Sequence, residues 1–326
     1  MRAPVPAVEV SLGLWQDRPP EEVLRTAALA DELGYPRVWI GEMATWDAFA
    51  LGTHVGSGFR RSGLVLGPFA VAVRDPAMIA MGAASVAALT GRDVAVALGT
   101  SSTTVVEGWH GRSRQRSVTA LDESARAVRA LLDGKKTDVD GAVVRSCGYR
   151  LRLRPPSSRL VVAAFGDGAV RAAVRHADEV VLNLVDPLLV HELVTRIRAV
   201  ADELGRPHPP VAVWAPAAVD PGPAAAEQLR RGVVGYLAAP GYSDMFARAG
   251  FADLVAFART RPHPAELLAR VPAELNRVVG LVGDRAAVAA RLGEYAAAGA
   301  DTVVVVPSST DDDPAGEHTL RALAGA

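Results

Sequence analysis

An α/β architecture is indicated by the segment Ala28-Leu29-Ala30-Asp31-Glu32-Leu33-Gly34-Tyr35-Pro36-Arg37-Val38-Trp39-Ile40-Gly41-Glu42. Apolar residues at Ala27, Ala30 and Leu33 have the spacing of one helix face, and Gly34 is a typical helix end. Residues 37–40 then predict a short strand, with Glu42 just beyond its carboxyl end. The segment therefore predicts a helix that leads directly into a buried strand.

The same alternation of strand and helix continues along the chain. Helical patterns occupy 76–90, 117–132, 169–176, 187–204 and 285–298, and the strands are continuous apolar runs, as buried parallel strands are. The predicted strands are residues 8–14, 37–40, 62–66, 93–98, 160–164, 179–183, 211–215 and 302–306. Eight strands interleaved with helices favour a (β/α)8 TIM barrel over an open doubly wound sheet.

Two segments interrupt the regular alternation. Asp140-Gly141 is a hairpin signal, so we expect a small β-excursion within residues 135–156. Residues 216–276, between strands seven and eight, predict a helical insertion punctuated by Pro and Gly, as in Pro240-Gly241-Tyr242. Long insertions on barrels often act as lids or substrate walls, and a packing or dimer element is the alternative. We expect one barrel domain over residues 1–326 that carries this insertion.

Composition and charge disfavour several classes of protein. Half of the 326 residues are hydrophobic, but no uninterrupted apolar run reaches the ~18 residues of a membrane span. The 35 basic and 36 acidic residues give a net charge of −1, which disfavours binding to nucleic acid or to a membrane surface. A single cysteine, Cys147, excludes an internal disulfide. Residues 1–10 lack the features of a signal peptide, so we expect a cytoplasmic protein.

The fold predicts where the site lies, because chemistry in this architecture takes place at the carboxyl ends of the strands. The residues there include few charges and no His-x-His pair, so metal catalysis is disfavoured. No Gly-x-Ser-x-Gly motif or suitable Cys/His pair indicates a covalent nucleophile. Glycines, hydroxyls and tryptophans remain, and these suit a flat heteroaromatic cofactor that acts on a small-molecule substrate.

Five segments in order resemble the bacterial luciferase-like superfamily, and in particular its coenzyme F420-dependent oxidoreductase branch. They are 28–42; Leu66-Gly67-Pro68-Phe69-Ala70 with Arg74-Asp75-Pro76; Thr90-Gly91-Arg92 leading to Ala97-Leu98-Gly99-Thr100; 177–183; and 295–301. The resemblance spans nearly the whole chain. It implies a barrel with F420, or alternatively FMN, in its mouth, and a homodimer.

The resemblance also implies roles for individual residues. Glu42 corresponds to an acid near the cofactor ring, and Phe69-Ala70 to a bulge in strand three where a non-proline cis peptide backs the ring. Gly166-Asp167-Gly168-Ala169 corresponds to a phosphate-binding loop, in which we expect Asp167 to cap the following helix. The residues expected to bind the cofactor are Gly13, Glu42, Pro68, Phe69, Ala70, Gly99, Thr100, Ser101, Ser102, Gly166, Asp167, Gly168, Ala169 and Asn183.

Four residues are candidates for catalysis: Glu42, Trp46, His54 and His110. Glu42 either faces the cofactor or pairs on the barrel rim, and Trp46 either walls the site or packs in the core. His54 is a reserve proton donor, and a solvated loop histidine is the alternative interpretation of His110.

Two departures from the family's sugar-phosphate dehydrogenases indicate the direction of the reaction. Met43 and Ser102 stand where those enzymes have a His and a carboxylate. Alcohol oxidation needs a base, and this chain lacks the usual one. We therefore expect an F420H2-dependent reductase that transfers a hydride from the deazaflavin C5 to an electron-poor C=C or C=N bond. The alternatives are a reduced-FMN monooxygenase and a non-catalytic flavin-binding barrel.

Overall fold

Eight parallel strands close into a barrel in the computed structural model, which describes residues 6–153 and 158–325. In chain order the strands are β1 (Ala7–Ser11), β2 (Arg37–Ile40), β3 (Gly63–Ala70), β4 (Val94–Gly99), β5 (Asp138–Asp140), β6 (Arg145–Cys147), β7 (Leu160–Ala163), β8 (Glu179–Asn183), β9 (Val211–Val219), β10 (Leu281–Gly283) and β11 (Thr302–Pro307). The barrel order is β1-β2-β3-β4-β7-β8-β9-β11, and β11 pairs with β1 to close it. The predicted (β/α)8 fold is confirmed.

Helices cover the outside of the barrel and form most of the segment after β9. The helices are α1 (Glu22–Glu32), α2 (Ala48–Gly58), α3 (Pro76–Thr90), α4 (Ser117–Leu132), α5 (Asp167–His176), α6 (Pro187–Glu203), α7 (Pro223–Val233), α8 (Tyr242–Phe246), α9 (Ala252–Arg259), α10 (Pro264–Arg270), α11 (Leu275–Val279), α12 (Arg285–Ala297) and α13 (Glu317–Leu323). Several begin at an Asp that accepts a hydrogen bond from the first turn, as Asp186 does from Leu189 N at 2.7 Å. Within the described ranges, no helix combines the length and the apolarity needed to cross a membrane.

The largest differences from the predicted elements lie around β9. This strand continues to Val219, four residues beyond the predicted end at 215, and its last residues pair with the unpredicted strand β10. A run of only three residues, Leu281–Gly283, carries no periodicity by which a strand can be recognised. The helices α7 to α11 therefore lie between Pro223 and Val279, bounded by two paired strands. β1 is also shorter than predicted and ends at Ser11.

The predicted hairpin is confirmed as the antiparallel pair β5–β6. Its turn is held by the carboxylate of Glu123 on α4, which accepts hydrogen bonds from the backbone N–H groups of Ala142, Val143 and Val144 at 2.7–2.9 Å. A Cβ at Gly141 would lie 2.3 Å from the Glu123 carboxyl carbon, so glycine makes this approach possible. The end of the predicted segment, 154–156, lies outside the described residues.

The barrel interior changes character from the amino to the carboxyl ends of the strands. Alternate residues of a strand face the barrel interior. Along β2 these residues are Arg37, Trp39 and Gly41, and each belongs to one of three successive layers of side chains. The middle layer is an apolar cluster around Trp39, Val65, Val181 and Val304. The lowest layer is charged, and the uppermost consists mainly of small residues, so the interior is filled at one end and open at the other.

The charged layer is a buried network centred on Arg37. The Arg37 guanidinium donates to Glu9 Oε1 at 2.6 Å and to both carboxylate oxygens of Glu179 at 2.8 Å. Trp39 Nε1 donates to the other oxygen of Glu9 at 2.6 Å. Burial raises the pKa of Glu9, although the Arg37 charge and these hydrogen bonds act in the opposite direction. Both carboxylates are therefore stabilised by the charge and the hydrogen bonds of Arg37, which replace contacts with water.

Asp31, another buried carboxylate with a structural role, joins α1 to the start of β3. Asp31 is buried, and it accepts hydrogen bonds from the backbone N–H groups of Arg60, Arg61 and Ser62 at 2.8–2.9 Å. Burial by itself would raise the pKa of Asp31, but these three hydrogen bonds outweigh burial and lower it. The charged form of Asp31 therefore stabilises the folded protein.

Replacing Arg37 by Ala tests the charged layer. The change leaves Glu9 and Glu179 buried without their cation, and a loss of about 3–5 kcal/mol in the free energy of unfolding is expected. Denaturant unfolding followed by circular dichroism measures the loss. Arg171→Ala is the control, because the Arg171–Glu203 ion pair is on the surface and its removal is expected to leave the unfolding midpoint nearly unchanged. Equal midpoints for Arg37→Ala and the wild type would contradict this role.

Replacing Asp31 by Asn tests the pH dependence. Since the folded-state pKa of Asp31 is below the value of about 3.9 for an unfolded chain, its contribution is present above that pH and is lost as the pH falls through the folded-state value. The amide introduced by Asp31→Asn carries no charge, so the variant is expected to be less stable at pH 7 and to lose less stability between about pH 5 and pH 2. Thermal unfolding at several pH values gives the comparison, and parallel curves would refute the assignment.

Candidate active site at the barrel mouth

The mouth of the barrel is lined by residues with little or no side chain. Gly41, Gly99 and Ala163 occupy its uppermost inward positions. A Cβ at Gly41 would lie 3.6 Å from the Trp214 ring, and one at Gly99 would lie 3.5 Å from the Ala163 Cβ. The Trp39 and Trp214 rings, with centroids 6.0 Å apart, form the floor below. The result is an apolar cradle open towards the carboxyl ends of the strands.

A bulge in β3 forms one side of this cradle. The pairing of β3 with β4 shifts register between Leu66 and Phe69. Gly67 has a φ of 108°, and a Cβ there would lie 2.3 Å from the carbonyl oxygen of Ala97, so both the backbone angle and the close approach require glycine. A bulge in strand three is confirmed, but it lies at Gly67-Pro68 rather than at Phe69-Ala70. The Pro68 Cβ lies 3.4 Å from the Cβ position of Gly99.

The predicted cis peptide at Phe69-Ala70 is wrong. Among the described residues, the cis peptide bond is Gly67–Pro68. A bond before proline has only a weak preference for trans, whereas a bond between Phe and Ala has a strong one. The Phe69 side chain points away from the mouth, is fully buried and stacks on Phe49 of α2, with ring centroids 4.8 Å apart. It therefore leaves only its backbone to face a cofactor.

Glu42 lies at the mouth and is paired with Arg74, which follows β3. The Arg74 Nε donates to Glu42 Oε2 at 2.9 Å, its Nη2 bonds to Glu42 Oε1, and it also pairs with Asp47. These hydrogen bonds raise the pKa of Arg74. Its guanidinium also lies over the Phe49 and Phe69 rings, at 5.0 and 5.6 Å from their centroids. Both Glu42 oxygens therefore act as acceptors to a fixed cation.

The other three catalytic candidates are exposed, and among the described residues none of them hydrogen-bonds to Glu42. Trp46 is partly exposed and donates from Nε1 to the carbonyl of Pro20 at 3.0 Å. His54 is on the exposed side of α2, seven residues from its cap and so about 10 Å along the helix. His110 is exposed at the end of a π-helical turn, Thr104–Trp109, after β4. The structure does not bring these histidines into the cradle.

Hydroxyl groups follow β4, as the sequence indicated. Thr100 Oγ1 accepts a long hydrogen bond from Arg114 Nη2 at 3.4 Å, and Ser102 Oγ accepts from Val105 N at 3.2 Å. Ser101 is exposed and has a φ of 55°. Arg114 Nε is buried and has no hydrogen-bond partner in the described parts of the chain. The rim beside Gly99 thus combines hydroxyls with a partly paired cation.

The loop after β7 leads into the amino end of α5, where a phosphate site was expected. The predicted cap at Asp167 is wrong: Gly166 is the cap residue, and the exposed Asp167 carboxylate pairs instead with Arg196 of α6 at 3.0 Å. This ion pair neutralises a carboxylate that would otherwise repel a phosphate bound at the amino end of α5. A Cβ at Gly168 would lie 2.6 Å from Val118, which explains the second glycine by packing.

Asn183 is the polar inward residue of β8, and the insertion packs against it. Its Nδ2 donates to the Tyr236 hydroxyl at 3.4 Å, and its backbone carbonyl accepts from the Tyr242 hydroxyl at 2.9 Å. Tyr242 also packs on Phe165, with centroids 4.7 Å apart. Gly241 makes this possible, because a Cβ there would lie 2.1 Å from the Phe165 ring. The sequence did not indicate that Tyr236 and Tyr242 lie at the site, although Pro240-Gly241-Tyr242 indicated the turn within the insertion.

Gly13 completes the predicted set, and the Trp15 ring lies against it. A Cβ there would lie 2.4 Å from Trp15 Nε1, which donates to the carbonyl of Pro307 at 3.0 Å. Trp15 therefore fills the space beside Gly13 and joins the ends of β1 and β11. In the described part of the chain, no three His, Cys, Asp or Glu side chains gather as metal ligands would.

The fold and the open carboxyl-end mouth define a (β/α)8-barrel enzyme. The model of the luciferase-like monooxygenase family matches residues 7–302, and the chain belongs to this family. The resemblance noted in the sequence is therefore confirmed, and the protein is an oxidoreductase.

Two solved structures with this fold carry different cofactors in their names, F420 in one and FMN in the other. The 5,10-methylenetetrahydromethanopterin reductase of Methanolobus tindarius is 25% identical over 236 residues, which cover 69% of each chain. The solved coenzyme F420-dependent tetrahydromethanopterin reductase of Methanopyrus kandleri has 17% identity and a TM-score of 0.83, over 99% of this chain and 98% of its own. The FMN complex of the oxygenating constituent of 3,6-diketocamphane monooxygenase from Pseudomonas putida has 17% identity and a TM-score of 0.71, over 99% and 97%. These two structural likenesses concern the fold.

Proposed function

We propose that the protein is an F420H2-dependent reductase of a small or medium-sized organic substrate with an electron-poor C=C or C=N bond. The observation that carries the proposal is the cradle of Gly41, Gly99 and Ala163 above two tryptophans. A planar tricyclic ring needs an apolar slot without projecting side chains, and this mouth supplies one. The reductases among the relatives support the choice of deazaflavin over flavin.

The residues around the cradle fit the parts of this cofactor. Trp214 Nε1 is a buried donor without a protein acceptor among the described residues, as expected beside a ring with polar edges. Thr100 and Arg114 line the adjacent rim, and the free N–H groups at the amino end of α5 suit a phosphate. When bound and reduced, deazaflavin supplies a hydride from its C5. The protein's contribution is to position the substrate and to exclude water.

The direction of the reaction follows from the absence of a free base at the described mouth. Both Glu42 oxygens are engaged by Arg74, and Met43 and Ser102 hold no carboxylate or imidazole. When the carbon of an alcohol loses a hydride, its hydroxyl group must lose a proton to a base, whereas a double bond that gains a hydride needs a proton donor. The arrangement supports reduction.

Gly41→Leu tests the position of the cofactor. Gly41 has an ordinary backbone conformation and little around its Cβ position except Trp214, so leucine is expected to fold normally and to fill the cradle. Binding of F420, followed by its absorbance and fluorescence, is expected to weaken at least ~100-fold, or by about 2.7 kcal/mol. Gly293→Leu is the matched control, because its Cβ position on α12 has no neighbour within 4 Å. Equal affinities in all three proteins would refute the cradle.

The same titration with FMN tests the identity of the cofactor. Tight binding of FMN without binding of F420 would overturn the reductase proposal and favour the reduced-FMN monooxygenase. Oxygen consumption with a flavin reductase would then measure that activity.

We also propose that the protein forms a homodimer through α2 and α3. Neither helix contains an Asp, Glu, Lys or Arg, and the outer face of α3 exposes Met78, Met81 and Leu89 at 53, 40 and 70%. A helix that is apolar on all sides is normally covered on all sides. A second copy of the chain can cover this exposed face. Two uncharged faces related by a twofold axis meet without like-charge repulsion.

Met81→Glu is expected to convert the dimer into a monomer, because it places two like charges near the centre of this face. Light scattering coupled to size-exclusion chromatography measures the mass of each protein. Arg285→Glu, at the exposed first position of α12, is the control and is expected to leave the mass unchanged. A monomeric wild type would refute the dimer.

A further inference from the structure

The insertion places two tyrosine hydroxyl groups beside Asn183 at the barrel mouth, those of Tyr236 and Tyr242. Val181 faces the barrel interior, so Asn183, two residues further along β8, points inward at the rim. Tyr236, at the end of a 3-10 turn after α7, lies with its hydroxyl 3.4 Å from Asn183 Nδ2. A residue outside the barrel strands therefore reaches the site between the cradle and the insertion.

We propose that Tyr236 is the catalytic proton donor, which protonates the second atom of the substrate double bond as the hydride reaches the first. The inference rests on the proposed reductase function and identifies its proton donor, a role for which the sequence offered only His54 as a reserve. It also assigns Asn183 as a positioning residue that acts through Tyr236.

The direction of the hydrogen bond supports this role. The Asn183 amide donates to the tyrosine oxygen, which leaves the hydroxyl hydrogen for another acceptor. Among the described residues, the Tyr236 hydroxyl donates no hydrogen bond to the protein. An oxygen that already accepts a hydrogen bond is a better proton donor, because the bond strengthens as negative charge develops on the oxygen.

The surroundings of Tyr236 hold the ring in place. Tyr242 packs edge-on against it, with ring centroids 5.0 Å apart, and is itself anchored by its hydrogen bond to the carbonyl of Asn183. Burial raises the pKa of Tyr242, and its proton is already committed to that carbonyl. The two tyrosines therefore differ in role. Tyr242 holds the ring of Tyr236 in place, and Tyr236 has a hydroxyl proton that it can donate.

The other candidates at the mouth are less suited to give a proton. Glu42 accepts from Arg74 with both oxygens. His54 lies on the outer side of α2, about 10 Å along the helix from its cap at Asp47. His110 is exposed after the π-helical turn. Tyr236 is the remaining candidate, since it alone among these has its acidic atom beside an inward-facing barrel residue.

The reaction balances with this donor. When bound, reduced F420 would supply a hydride to the substrate and a proton to solvent. The π bond of the substrate is then replaced by two bonds to hydrogen. The Tyr236 oxygen gives its proton to the substrate, and the resulting phenolate recovers one from solvent, so no net proton is consumed. The substrate therefore gains one hydride and one proton.

Tyr236→Phe tests the inference with 2-methylcyclohex-2-en-1-one as the probe. In this enone the hydride goes to C3 and the proton to C2, so the configuration at C2 of the 2-methylcyclohexanone product reports the face of protonation. We expect Tyr236→Phe to keep its affinity for F420 within about twofold of the wild type and to lose ~100-fold in the single-turnover rate. The wild type is expected to give one enantiomer in excess, and the variant a nearly racemic product.

Two further variants separate chemistry from structure. Asn183→Leu, which removes the donor to Tyr236, is expected to reduce the rate by ~10-fold. Tyr149→Phe, on an exposed tyrosine beyond the β5–β6 hairpin, is expected to match the wild type in every measurement.

Each other outcome counts against a specific statement. An unchanged rate and enantiomeric excess in Tyr236→Phe would overturn the proton-donor role, and so would a loss of F420 affinity that accounts for the slower rate. A wild type that binds no F420 would overturn the proposed function itself. A wild type that binds F420 without reducing the probe would overturn the donor role for this class of substrate and leave the cofactor assignment standing.

Discussion

A largely buried arginine spans the closed end of the barrel. Arg37 on β2 bonds to Glu9 on the neighbouring strand and to Glu179 on β8, which lies on the opposite side of the barrel. Buried charges are tolerated only when they are paired and fully hydrogen-bonded, so this contact constrains three strands in position and register. The barrel can then be open at one end without losing its shape.

The inward side of β2 passes from this closed end to the active site within a few residues. Arg37 belongs to the charged layer, Trp39 to the floor, and Gly41 to the cradle, with Glu42 on the rim. Each step of two residues moves about 6.5 Å along the strand. The decrease in side-chain size along this path creates the space that the proposed cofactor requires, while the charged layer and the tryptophans exclude water from below.

The loops around the mouth show a division between side chains that hold one another and groups that remain free. Arg74 is fixed by Glu42, Asp47 and two phenyl rings, and Asp167 is paired outward with Arg196. The N–H groups of α5, the Trp214 Nε1 and the Tyr236 hydroxyl hydrogen have no such partner among the described residues. Free donors around an apolar slot are the arrangement expected of a site that orients an anionic, heteroaromatic cofactor and its substrate.

The sequence by itself determined the order of strands and helices, the hairpin at Gly141, and the positions of the glycines at the mouth, because these depend on local periodicity, turn chemistry and the absence of a side chain. Tertiary structure alone decided the pairing of Glu42 with Arg74, the outward turn of Asp167, the short strand β10, and the contact of Asn183 with Tyr236. These residues meet across tens of positions in the chain, and Tyr236 is 53 residues from Asn183. Such contacts depend on how the closed barrel brings distant loops together, and no local pattern in the sequence records them.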